Sequence, residues 1–221
     1  MRAVVATFNI RHGRGSDGVV DLERTASVIR AIGPDLIALQ ELDHNFTRSG
    51  RVDQPAMLAE LIGMQISFFP TVVDGNRSYG LALAAREALD DARFEPLPRI
   101  AREEPRGVVL GRWSGVTVLA THLSTERWAR AAQTRALARL ARDAPPPVVI
   151  LGDLNQRSWS WALVALRAAG LRGDRSWGGR ARALGRIDHV LAGRGARVVR
   201  TWARHSEASD HPAIGAVVEA P

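Results

Sequence analysis

The chain has 221 residues, 46% of them hydrophobic, a formal net charge of +7 and no cysteine, and all 30 of its basic side chains are arginines. That length suits one well-cored domain and is short for two. The absence of cysteine excludes disulfides, thiolate metal centres and a cysteine nucleophile, and no apolar run reaches the 18 residues of a membrane-spanning helix. The N-terminal stretch MRAVVATFNI lacks the pattern of a signal peptide, so the expected location is the cytoplasm. The arginines are scattered, which fits a compositional bias better than a nucleic-acid track.

Residues 2–13 read as a first strand and its exit loop, the apolar run 3–8 ending at Asn9. Gly13, Gly15 and Gly18 make the following loop flexible enough to border a substrate. Asp21 is placed to cap a helix running to Ile32, with Gly33-Pro34 as its stop. The strand 35–40 then ends at Glu41. This strand–helix–strand unit brings an amide and a carboxylate together, where both can face one hard cation. The polar loop 43–55 leads into a helix over 54–62 with Met57, Leu58 and Leu61 as expected core. Strands follow at 66–73 and 80–85 around a Gly75-Asn76 turn, and Tyr79, the sole tyrosine, precedes the second. Residues 87–106, charged and holding three prolines, are expected at an edge or in a surface loop. Arg106 opens a strand to Trp113, Ser114-Gly115 forms a hairpin turn, and the apolar strand 116–121 ends at His122.

Residues 125–142 read as a covering helix with its arginines on the wet side. Pro145, Pro146 and Pro147 then deliver an extended chain into the apolar run 148–151, which stops at Gly152, Asp153, Leu154 and Asn155. A further helix is expected over 159–169, with Trp159 and Trp161 as packing or pocket wall. The charged loop 173–185, containing Trp177, is the candidate substrate-selecting rim. The strand that starts at Arg186 carries Asp188, while its neighbour His189 points to the opposite face and reads as structural. A strand over 197–205 precedes Ser209-Asp210-His211-Pro212, at the mouth of a last strand over 213–218.

Five strand ends thus carry Asn9, Glu41, His122, Asp153 with Asn155, and Asp210 with His211. Each alone could be a cap or a turn. Together they supply hard oxygen ligands and imidazoles, the parts of a Mg²⁺- or Mn²⁺-assisted hydrolytic site. From periodicity alone the fold is α/β with a mixed sheet.

Seven motifs, FNIRHG (8–13), LQELD (39–43), YGLALAAR (79–86), THL (121–123), GDLN (152–155), RIDHV (186–190) and SDHPAI (209–214), resemble in order those of the endonuclease/exonuclease/phosphatase superfamily. The resemblance spans nearly the whole chain. It implies one domain over residues 1–221, a four-layer α/β sandwich of two packed mixed sheets flanked by helices. It implies a metal-dependent hydrolase of phosphate monoesters or diesters, with nucleic acid as an alternative substrate. Carried over by motif, Glu41 and Asn9 hold Mg²⁺ or Mn²⁺, Asp153 orients or deprotonates water, and Asn155 and His122 contact the phosphoryl group. Asp188 orients His211, and Asp210 assists the metal or tunes that imidazole. Tyr79, Arg11 and Arg106 complete the set expected at the substrate. Leu81 stands where the family usually has Asn. Arg11 stands where abasic-site endonucleases carry an acid, which favours a small phosphoesterase over a repair enzyme. A non-catalytic, arginine-rich binding protein on the same fold is the other class considered. It gives no folding reason to keep three carboxylates and two imidazoles at strand mouths.

Overall fold

In a computed structural model, residues 1–100, 103–157, 160, 163–173 and 186–221 are described. The strands are β1 (Arg2–Asn9), β2 (Leu36–His44), β3 (Gln65–Asp74), β4 (Arg77–Ala85), β5 (Asp90–Pro96), β6 (Gly107–Trp113), β7 (Val116–His122), β8 (Val148–Asp153), β9 (Asp188–Gly193), β10 (Arg197–Arg204) and β11 (Ala213–Glu219). The helices are α1 (Leu22–Ile32), α2 (Gln54–Ile62), α3 (Arg127–Asp143) and α4 (Val164–Ala168). A six-stranded sheet runs β10-β11-β1-β2-β4-β3 and a five-stranded sheet β5-β6-β7-β8-β9. The pairs β1–β2 and β7–β8 are parallel and the rest antiparallel, so both sheets are mixed.

Strand alternation sorts the apolar residues into layers. Val5, Leu36, Ala38 and Leu83 of the first sheet meet Val109, Val118, Ala120, Val149 and Leu151 of the second in one central cluster. The alternate residues Phe8, Ile37 and Leu39 face outward onto Ile29 and Leu58 of α1 and α2. On the far side Leu119, Val148 and Ile150 pack on Leu137 of α3 and Leu166 of α4. This is the expected helix–sheet–sheet–helix sandwich. Both faces of the inner strands are covered, which explains runs such as Val148–Leu151 that show no polar alternation.

The local signals explain most boundaries. Asp21 caps α1 by accepting from Arg24 N–H, and Gly33 ends it in the left-handed region at φ 63. Asp53 caps α2 in the same way through Ala56 N–H. Helix α3 starts two residues later than expected because Glu126 takes the cap, accepting from Trp128 and Ala129 N–H. The segment 87–106 contains the edge strand β5, paired to β6 alone. One core expectation fails. Met57 is 40% exposed, because Leu58 and the amide of Gln54 fill the inner face of α2. Trp159, Trp161, Trp177 and residues 174–185 of the expected rim lie outside the described residues. Among the described residues no helix is long and apolar enough to cross a membrane.

Candidate functional site

The two parallel strand pairs bring four carboxyl ends to one edge of the sandwich, where ligands of α/β sheets bind. Asn9, at the end of β1, donates its amide to Glu41 Oε1 at 2.9 Å and to Asp153 Oδ2 at 3.2 Å, so one side chain ties the two sheets together. Glu41 reaches that position through a β-bulge. The β2–β4 register shifts between Gln40 and Leu42, and Glu41 itself adopts φ 64. By simple alternation Glu41 would follow Leu39 toward the helices. The extra residue gives that place to Leu42 and aims the carboxylate at Asn9.

In the second sheet, His122, Asp153 and Asp188 are direct cross-strand partners at the same level. Asp188 Oδ2 holds His211 Nδ1 at 2.9 Å, with Asp153 Oδ2 3.8 Å from the same nitrogen. Burial pulls the His211 pKa down. The hydrogen bond and charge of Asp188, with Asp153 and Asp210 behind it, outweigh burial and push the pKa up to about 9. His211 is therefore an imidazolium at neutral pH. Burial, then the charge of Asp188, raises the Asp153 carboxyl to about 7.

His122 sits 3.4 Å from Asp153 through Nε2, and Arg106 Nη1 lies 2.8 Å from its Nδ1. A guanidinium only donates, so Nδ1 must accept and the proton sits on Nε2. Burial, Arg106 and His211 all hold His122 neutral, well below its ordinary pKa. It can donate a hydrogen bond but does not act as an imidazolium. Tyr79 is buried beside Arg106, with Arg48 5.4 Å from its ring centroid; burial and the charges of Glu41 and Glu104 keep its phenol protonated. Asn155, at φ 49, donates its side-chain amide to Leu123 O and its backbone N–H to Asp153 Oδ1.

The structure thus gathers Asn9, Glu41, His122, Asp153, Asp188 and His211, with Tyr79, Arg106 and Asn155 around them. Asp210 stands apart. Its carboxylate pairs with Arg11 Nη1 at 3.3 Å, and its side chain is half exposed. Three residues to which the sequence assigned no role hold the frame. Ser209 Oγ donates to Asn9 O and accepts from His211 N–H, fixing the last strand's mouth to the first. Fully buried Gln54 accepts from Asp43 N–H and donates to His12 O, clamping the bulged strand to the loop after Asn9. Thr7 donates to Gln40 beneath the site.

The chain matches the Endonuclease/Exonuclease/phosphatase family over residues 6–211. It belongs to that family. Members of the endonuclease/exonuclease/phosphatase family are hydrolases of phosphoester bonds and generally use divalent metal ions. A family protein from Beutenbergia cavernae DSM 12333 shares 24% identity at a TM-score of 0.78, over 99% of this chain and 72% of that one. The human Nocturnin catalytic domain with bound sulfate anion shares 18% at 0.73, over 100% and 95%. A 3′ phosphatase, NExo from Neisseria bound to product DNA hairpin, shares 19% at 0.69, over 99% of each chain. At these identities the likeness is one of fold. No curated protein sequence matches the chain.

Two features fit the divalent ion usual in the endonuclease/exonuclease/phosphatase family. Asp188 Oδ1 is buried without a hydrogen-bond partner, and its buried cross-strand neighbour Asp153 is joined to the Asn9 amide, so two buried carboxylates lie beside the Asn9–Glu41 pair. The surrounding donors, Glu41 and the amide of Asn9, are hard oxygens of the kind Mg²⁺ and Mn²⁺ prefer. Asn9 would ligate through Oδ1, the atom that accepts from Arg11 N–H.

His189 faces away from this cluster, as expected, and its Nε2 donates to Gln156 O at 2.6 Å. Burial, then Arg186, lowers its pKa to about 3. Between pH 6.5 and 3 the unfolded chain therefore holds a proton that the folded chain lacks. This group's contribution to stability is lost as pH falls through that window, by up to about 1.4 kcal/mol per pH unit. His189→Gln keeps the donor and removes the titration. Urea unfolding of the metal-free protein between pH 7 and 4.5 is expected to give a shallower pH slope for the variant; identical slopes would refute the assignment.

Proposed function

We propose that the chain is a Mg²⁺- or Mn²⁺-dependent phosphoesterase that hydrolyses a phosphate monoester or diester by in-line attack of water. The observation that carries this is the Asn9 amide joined at once to Glu41 of one sheet and Asp153 of the other, with His122 and the Asp188–His211 pair beside them. Glu41 and Asn9 would hold the ion, which supplies positive charge against the phosphoryl oxygens as negative charge develops there. His211 Nδ1 is occupied by its hydrogen bond to Asp188, so it is assigned to the substrate rather than to the ion.

Asp153, with a carboxyl raised to about 7, orients the attacking water and can take its proton near neutral pH. His122 donates Nε2–H to a phosphoryl oxygen. The His211 imidazolium clamps the phosphate, and Asp188 keeps it charged and aimed. Asn155, locked by Leu123 O, lines the phosphoryl side together with Tyr79. The NExo structure is bound to product DNA, so a nuclease reading is tested alongside.

Hydrolysis of bis-p-nitrophenyl phosphate, p-nitrophenyl phosphate, sugar phosphates and plasmid DNA is expected only with Mg²⁺ or Mn²⁺, and to stop on adding EDTA. Glu41→Gln is expected to weaken Mn²⁺ binding in equilibrium dialysis at least about tenfold. Metal-independent turnover, or unchanged Mn²⁺ affinity in Glu41→Gln, would defeat the assignment.

A further inference from the structure

Four arginines on this side of the molecule, Arg48, Arg77, Arg11 and Arg106, are each matched to a carboxylate. Arg48 spends its Nε and Nη2 on buried Asp43, at 2.8 and 2.7 Å. Arg77 pairs with Asp74 at 2.5 Å, and the Phe46 ring that Arg77 covers also lies under Arg48. Arg11 pairs with Asp210. Arg106 is the innermost of the four, its side chain only 11% exposed, and its Nη1 is shared between His122 Nδ1 and Glu104 Oε1 at 3.0 Å. Glu104 lies on the outer side of that nitrogen with 39% of its side chain exposed. Glu104 senses Glu41 and Arg48 as well: burial raises its carboxyl, Arg106 lowers it, Glu41 raises it again and Arg48 lowers it. It is therefore a carboxylate standing within the field of the proposed metal ligand, over the arginine that faces the phosphoryl position. None of these four arginines stands without a carboxylate partner.

We propose that Glu104 is a substrate-selecting residue, and that the site prefers esters with one phosphate on a neutral, hydroxyl-bearing group over those with a second phosphate beside it. This rests on the phosphoesterase reading above. An incoming phosphate can take the oxygen-binding face that Arg106 and His122 present. A second phosphate nearby meets Glu104, whose charge repels it, and finds Arg48, Arg77 and Arg11 already paired to carboxylates. A hydroxyl in the same place can instead donate to Glu104.

The test uses pairs of probes differing only at one position. They are thymidine 5′-phosphate against thymidine 3′,5′-bisphosphate, and the p-nitrophenyl esters of the same two 5′-phosphates. With Mn²⁺ at low ionic strength, the native protein is expected to favour the 3′-hydroxyl member of whichever pair it hydrolyses by about tenfold or more in kcat/KM. Glu104→Gln is expected to reduce that preference about tenfold, and 0.5 M salt to shrink the difference between the two proteins. Arg106→Gln serves as the contrast, slowing both members alike. A preference unchanged in Glu104→Gln, or equal slowing of both members there, would overturn the inference and make Glu104 only a holder of Arg106. A native preference for the 3′-phosphorylated probe would overturn it too. If neither pair nor any ester in the broader panel is hydrolysed, the phosphoesterase reading itself falls. Activity on the panel with an unaltered ratio leaves that reading standing and removes this one.

Discussion

Asp153→Asn is expected to lower kcat/KM at least about a thousandfold while leaving the metal-free fold as stable as the parent, or more so, at pH 8. The activity loss follows because Asn offers no base to the attacking water and carries no charge to set against a cation. The stability effect follows from the raised carboxyl pKa. Free in the unfolded chain, this carboxyl titrates near 3.8; in the fold it titrates near 7, through burial first and the charge of Asp188 second. Between those values the folded state keeps a proton that the unfolded state gives up, so stability falls as pH rises through the window. Above pH 7 the full penalty of ionising Asp153 in the fold is present. Asn removes that penalty but also gives up part of the attraction to His211 and forces the Asn9 amide to find a new partner. The variant's advantage should therefore appear at pH 8 and vanish toward pH 5. Thermal unfolding in EDTA at both pH values reads this directly. Adding Mn²⁺ should raise the melting temperature of the parent more than that of the variant. Near-parental turnover would remove Asp153 from the chemistry, and a variant equally destabilised at both pH values would contradict the buried, strained carboxylate.

Much of the fold was legible because its signals are local. Asp21 and Gly33 bracket α1, Asp53 and Gly63 bracket α2, and Gly75-Asn76 turns β3 into β4, each within a few residues of the element it ends. The polar residues closing the apolar runs also marked the edge where Asn9, His122 and Asp153 gather, since turn or cap needs explain any one of them but not their recurrence at several strand ends. The rest depended on contacts distant in sequence. That Glu41 needs a bulge to reach Asn9 is a property of β2–β4 pairing, which nothing within LQELD expresses. Ser209 reads as a turn residue until β11 is laid against β1, 200 positions away in the chain. The coupling of Arg106 to His122 exists only because β6 and β7 form a hairpin that puts the two ends together. Asp210 was grouped with His211 by adjacency; the chain bends at these two residues, and the Asp210 carboxylate pairs with Arg11 while its charge still helps to raise the His211 pKa.

Gly152→Ala is expected to be severely damaging for so small a substitution, costing about 2–4 kcal/mol or more and about a hundredfold in rate. A Cβ at this position would lie 2.0 Å from Thr121 O and 2.9 Å from Thr121 C, both backbone atoms of the neighbouring strand. Backbone in a paired strand cannot swing aside as a side chain can, so β7 and β8 would have to part. That gap is the one the site depends on. Thr121 pairs with Gly152 and His122 with Asp153 in the next step of the register, and the close approach sets His122 Nε2 3.4 Å from Asp153 Oδ2. The Leu123 N–H bond to Asp153 O, at 2.9 Å, closes the same end of the ladder. Forcing the strands apart by even 1 Å or so would lengthen both contacts and move the phosphoryl-facing hydrogen bond away from the water-orienting carboxylate. Gly50→Ala is the matched comparison. Gly50 has φ 80 but nothing within 4 Å of the point a Cβ would occupy, so only the left-handed backbone strain of about 1 kcal/mol should be felt, with activity retained. Denaturant unfolding and initial rates on bis-p-nitrophenyl phosphate separate the two. If Gly152→Ala matched Gly50→Ala in both, the tight β7–β8 contact would not be what holds His122 to Asp153.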